Sequence, residues 1–168
     1  MDWWLPFVVV IGGNSLFFVF CSIVKDNSWI DAWWGISFIL PLAALNIKRA
    51  VEHSKDNLMP GVDARMILSL VLVCIWGLRL CWHIAKRHTK EDFRYVDFRE
   101  RWNTGGPCWL YTQFYLKIFF LQGVFGLIVN GAAIYIAIYS NSPNLIWTDY
   151  LGAAIWLFGF IFELVGDA

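Results

Sequence analysis

Charge is what this sequence has least of. Of 168 residues, 15% are Asp, Glu, Lys or Arg and 59% are apolar, whereas a typical globular chain carries about 25% charged residues. Acidic and basic residues number 13 each, so the net charge is zero and nothing points to a nucleic-acid partner. Histidine is scarce as well. Three residues (His53, His83, His88) are too few for the ligand set of a di-metal membrane oxygenase. The four cysteines (Cys21, Cys74, Cys81, Cys108) contain no CxxC pair, and three lie inside apolar runs. They read as small packing residues, without a disulfide framework or zinc site. There is no Walker-type phosphate loop, no dinucleotide-binding glycine fingerprint after a strand and no nucleophile-elbow serine. Thr104-Gly105-Gly106-Pro107 therefore reads as a turn. No Asn-x-Ser/Thr sequon occurs, and the N-terminus shows Asp2 where a signal peptide carries basic residues, so no cleavable signal is expected.

What is abundant is uninterrupted apolar sequence, rich in Trp (11) and Phe (14). A helix needs about 20 mostly apolar residues to cross a hydrocarbon core of roughly 30 Å. Five runs meet this, at about 3–24, 28–47, 66–85, 113–139 and 148–165, with a charged loop over 86–112. Their continuity, without apolar–polar alternation, excludes membrane strands. Trp3, Trp4, Trp29, Trp109, Tyr111, Trp147 and Tyr150 fall at run ends, where amphipathic rings favour the headgroup zone. The expected fold is all-α: a single multi-pass membrane domain over 1–168, with about five spans surrounded by membrane lipids. Counted over the ends of the spans, one face collects Lys48, Arg49, Lys55 and Arg65. The other collects Lys25, Lys86, Arg87, Lys90, Arg94, Arg99 and Arg101. The positive-inside rule puts the 86–112 loop and the C-terminus on the cytosolic side.

Ionisable groups inside spans are costly and therefore informative. Asp31, Arg79, His83, Arg87, Lys117, Gln122, Glu163 and Asp167 all map to the same leaflet, beneath the basic loop. Glu163 lies four residues after Gly159, in a stripe of Gly152, Gly159 and Gly166 that would let another helix approach closely. This places Glu163 toward the bundle, with Asp167 one turn on. The two carboxylates suit hydrogen bonds from a ligand's hydroxyls or amide. Equally, ion pairs such as Asp31–Arg79 or Arg79–Glu163 would hold helices in register. The mixed-sign stretch Lys86–Arg101 reads as a solvated connector. Gly12-Gly13-Asn14-Ser15 reads as close packing within the first span. No internal repeat or pair of broken helices supports a transporter.

The order of motifs carries a resemblance. Ser28-Trp29-Ile30-Asp31-Ala32-Trp33-Trp34-Gly35 precedes Trp76-Gly77-Leu78-Arg79-Leu80. Lys90-Glu91-Asp92-Phe93-Arg94-Tyr95 and Phe120-Leu121-Gln122-Gly123 follow, then Gly152-Ala153-Ala154-Ile155-Trp156-Leu157-Phe158-Gly159, leading to Glu163 and Asp167. From about residue 28 onward the chain resembles the DUF1295 branch of the steroid 5-alpha-reductase-like membrane proteins. That resemblance implies NADPH-dependent reduction of a carbon–carbon double bond in a lipid or sterol-like substrate. It also implies that the cofactor lies at the cytosolic side, with Glu163 and Asp167, and by motif position Arg79, as cofactor-binding residues. No catalytic residue is assigned: Tyr95 reads as a proton donor or as an interfacial ring. Relatives continue into helices with an Arg-His-Pro-Asn-Tyr type motif, which does not follow Asp167 here. The chain alone is accordingly expected to be incomplete or inactive. The alternative is a non-catalytic subunit on the same scaffold, with a membrane protein partner packed on the last helix.

Overall fold

The computed structural model describes residues 2–142 and 144–167. Among them there are seven helices and no strands: α1 (Trp4–Val24), α2 (Trp29–Lys55), α3 (Ala64–Arg87), α4 (Phe93–Trp102), α5 (Pro107–Val129), α6 (Gly131–Tyr139) and α7 (Trp147–Gly166). Of these, α1, α2, α3, α5 and α7 are long and apolar enough to cross a membrane. Their outward surfaces are apolar, as lipid contact requires: Leu16, Ile23, Phe158 and Phe162 are each about three-quarters exposed.

Three bounds differ from the sequence expectation, each for a local reason. α2 runs on to Lys55 because Lys48 and Glu52 pair one turn apart and Asp2 reaches Lys48 from the start of the chain. α5 begins at Pro107, inside the region expected to be loop. Gly106 takes the left-handed φ of 85° that ends the preceding turn, and proline suits the first helical turn because its missing N–H needs no partner there. The run to Tyr139 is also interrupted at Asn130, between α5 and α6. The 86–112 stretch is not all loop, since it contains α4. Asp92 caps that helix by accepting from the Arg94 N–H at 2.9 Å.

α2 is the central element, packing on α1, α3, α5 and α6. Where α2 crosses α3, Gly35 meets Gly77 backbone to backbone. A Cβ on either would fall onto the carbonyl oxygen of the other. Without water to drive association, membrane helices gain from such close approach. On the other side of the bundle, Gly123 of α5 leaves room for Ile11 and Asn14 of α1.

Two buried asparagines satisfy main-chain groups at helix irregularities. Asn14, 2% exposed, donates to the Phe119 carbonyl at 2.9 Å and accepts from Trp33 Nε1 at 2.9 Å. Phe119 lies in a π-helical turn of α5, Tyr115–Phe120, where the usual carbonyl pattern is broken. Asn130 donates to the Phe38 carbonyl at 2.9 Å, one turn before Pro41, whose ring interrupts the hydrogen-bond ladder of α2. Apolar side chains cluster at the two ends of the bundle, around Cys21, Ile30, Tyr95, Phe114 and Phe119 at one, and Leu42, Leu45, Met66 and Ile134 at the other.

The Gly152–Gly159–Gly166 stripe is corrected by the structure. No helix among the described residues packs on it, and a Cβ at any of the three would meet nothing within 4 Å. α7 contains no buried residue and packs on α3.

This contrast predicts that Gly77→Ala or Gly35→Ala lowers stability by about 1–3 kcal/mol, the range for overpacking a tight contact, whereas Gly159→Ala is neutral. Unfolding of the purified variants in detergent measures both; equal effects at the two kinds of site would contradict the assigned packing.

Candidate functional site

One end of the bundle contains a cavity of roughly 800 Å³, framed by the start of α2, the end of α3, the 88–92 connector and Gln122 of α5. Its wall is mostly apolar, with Trp34, Leu80 and Ile84. Its rim is ionic, with Asp31, Arg87, Lys90, Glu91, Asp92 and Arg94. Local sequence builds this rim. α1 ends at Lys25, which adopts a left-handed conformation (φ 61°), and the chain reverses through Asp26-Asn27-Ser28, where Asp26 Oδ1 accepts from the Ser28 N–H and hydroxyl.

The connector is stitched to that turn and is not a solvated linker. His88 Nε2 lies 2.8 Å from Asp26 Oδ2, with the imidazole against Trp29. Glu91 Oε1 accepts from the Asn27 N–H at 3.1 Å and from Arg99 at 2.6 Å. The Asp92 N–H donates to Ser28 Oγ at 3.2 Å. Asp31 then receives two donors from α4: the Tyr95 hydroxyl at 2.8 Å and Arg94 at 2.9 Å.

The Tyr95 ring is buried among Phe98, Phe114 and its neighbours, 3% exposed, so the interfacial-ring reading does not hold. Burial, followed by the charge and hydrogen bond of Asp31, pushes its phenol well above the ordinary tyrosine range. Tyr95 does not line the cavity; it holds Asp31 in place. Asp92, hydrogen-bonded by Arg94, is held below the usual carboxylate range.

Arg79, Glu163 and Asp167 form one cluster. Arg79 pairs with both carboxylates, and Trp76 Nε1 donates to Glu163 at 3.0 Å. The Asp31–Arg79 pair is absent, since Asp31 is turned to α4. The carboxylates are about one-third exposed and face α3. Arg87 reaches the Asp167 carbonyl at 3.2 Å. Lys117 stands apart from the site: it is exposed, and its ammonium lies 4.9 Å from the Trp102 ring centre. At the far end, Arg65 grips Asp149 with two nitrogens, at 2.8 and 3.0 Å. α7 is thus fixed to α3 by an arginine–carboxylate clamp at each end.

His83 and Gln122, both singled out in sequence, line the cavity, and His83 Nε2 and Gln122 Oε1 are buried without hydrogen-bond partners. The Asp26–His88, Glu91–Arg99 and Asp31–Tyr95 contacts were not anticipated. All three join segments about 60 residues apart or cross a mixed-charge stretch with no distinctive pattern. Among the described residues no group of three His, Cys, Asp or Glu could hold a metal ion.

The fold and cavity define a polytopic helical protein with a ligand-sized chamber at one end. The DUF1295 family, described as a protein of unknown function, matches residues 17–168, and the chain belongs to that family. Comparison with curated proteins and with solved structures finds no match.

Arg79→Met would leave two neighbouring carboxylates without their counter-charge and cost about 1–3 kcal/mol, allowing for their partial exposure. Replacing all three members with apolar residues is expected to recover most of that loss, and a double- and triple-mutant series of unfolding measurements checks it. For Tyr95, the folded chain retains the phenol proton to higher pH than the unfolded chain. Above about pH 10 the unfolded state therefore ionises first, and stability falls more steeply in wild type than in Tyr95→Phe. Chemical unfolding across alkaline pH tests the sign.

Proposed function

We propose that this protein belongs to a membrane-embedded reductase system that uses NADPH to reduce a carbon–carbon double bond in a lipid-soluble substrate. The observation that carries this reading is the cavity, in which an apolar wall meets an ionic rim at the charged end of the bundle. Its volume lies within the roughly 300–1,000 Å³ range of small-molecule sites. The resemblance of the Trp76–Tyr95 stretch and of Glu163 and Asp167 to the steroid 5-alpha-reductase-like motifs supports it independently.

The residues present fit such a cofactor in part. Arg87 and Lys90 place positive charge on the rim for phosphates. Glu163 and Asp167 do not line the cavity and are already held by Arg79 and Trp76, so Arg79 sets their orientation. When bound, NADPH supplies a hydride. The chain's own contribution is to exclude water with Trp34, Leu80 and Ile84, and to hold the rim rigid through the Asp31–Tyr95–Arg94 contacts. A charge-lined, partly dry chamber strengthens electrostatic interactions at a bound ligand.

A non-catalytic subunit on this scaffold is the second reading. It is favoured by α7, which buries no residue and leaves its glycine stripe open to a further membrane protein partner.

Titration of the purified protein in detergent with NADPH separates the two. Binding should stabilise the fold by about 2.7 kcal/mol at a hundredfold excess over Kd, and Arg87→Ala with Lys90→Ala should weaken it by about tenfold or more. Absence of any thermal shift, together with stoichiometric copurification of other membrane subunits, would favour the scaffold.

A further inference from the structure

The geometry points to His83 and Gln122 as a polar pair that recognises a neutral hydroxyl group on an amphiphilic ligand held in the cavity. The inference rests on reading that cavity as a ligand site, but it does not require NADPH.

Apart from Arg87 and Lys90, the ionic groups of the rim are already committed to one another or to neighbouring residues. Arg94 binds Asp31 and Asp92, Tyr95 binds Asp31, and Glu91 binds Arg99 and a main-chain N–H. Beside the apolar side chains Trp34, Leu80 and Ile84, the lining includes two polar side chains from different helices, His83 of α3 and Gln122 of α5. Each carries a buried atom with no partner, His83 Nε2 and Gln122 Oε1. The acid nearest His83, Asp167, stands 3.9 Å away, beyond hydrogen-bond reach.

Buried polar atoms are nearly always satisfied, and an orphan carries the full cost of its lost hydration. Two orphans on residues lining one cavity constitute an unmet demand for hydrogen bonds. The chemistry of the pair selects the ligand group. A half-turn of the Gln122 amide exchanges its oxygen and nitrogen, and a neutral imidazole donates from one nitrogen and accepts at the other. A hydroxyl both donates and accepts, so it can satisfy one partner in each sense. An ether oxygen or a carboxylate can only accept.

Hexadecan-1-ol and its methyl ether test this, since they share a chain and differ in the O–H. Equilibrium binding of radiolabelled hexadecan-1-ol to the purified protein in detergent should saturate at one molecule per chain, with the ether about tenfold weaker. Gln122→Leu and His83→Leu should each weaken the alcohol about tenfold and leave the ether unchanged. Size-exclusion profile and thermal midpoint establish that each variant is folded.

Equal binding of alcohol and ether, equal loss of both in the leucine variants, or no saturable binding would overturn the assignment. A thermal shift with NADPH but no preference for the alcohol would remove this pair and leave the cofactor reading. Preference for the alcohol without any response to NADPH would do the reverse.

Discussion

The close crossing of α2 and α3 at Gly35 and Gly77 is the constraint on which the rest of the molecule depends. In a hydrocarbon solvent, apolar side chains gain little by leaving lipid for each other, so helices associate through contact and through hydrogen bonds. Two glycines facing each other remove both side chains from the interface and bring the backbones together. That contact lies between the apolar clusters at the two ends of the bundle, and Trp34 and Trp76 each lie one residue away from it in sequence. Trp34 lines the cavity and Trp76 holds Glu163. The geometry of the candidate site is therefore set from the middle of the bundle.

The rim is built differently. Its residues come from the 25–31 turn and the 88–101 connector, which are held together by hydrogen bonds of side chains to main chain and to one another. Each of these bonds is modest by itself. They share partners, however: Asp26, Ser28, Asp31 and Glu91 each accept or donate more than once. Loss of one leaves its neighbours with unpaired polar groups, so the segment behaves as a unit.

Much of this was legible in the sequence, and the limits are physical. Long apolar runs must be buried in lipid or in protein, so five spans followed from composition along the chain. The gathering of Asp31, Arg79, His83, Gln122, Glu163 and Asp167 at one end followed from their depth within those spans. Pairings were harder to read. Arg79 had two acidic candidates of similar depth, and only the packing of α3 on α7, with α4 lying over Asp31, separates them. Helix α4 was hidden because its residues alternate in charge, and its stability derives from the Asp92 cap and from burial of Tyr95. The glycine stripe on α7 is left uncovered by the described residues, since small residues permit close approach without requiring it.

The two clamps between α3 and α7 share a spacing. Arg65 and Arg79 are 14 residues apart, as are Asp149 and Glu163, in the same chain sense. The helices are therefore parallel, and 14 residues is close to four turns. A slip of α7 by one turn, about 5.4 Å, would unfasten Arg65 from Asp149, whereas Arg79, which pairs with Glu163 and Asp167 one turn apart, could keep a carboxylate. The Arg65–Asp149 grip is thus the one that seats α7 in a single notch along α3.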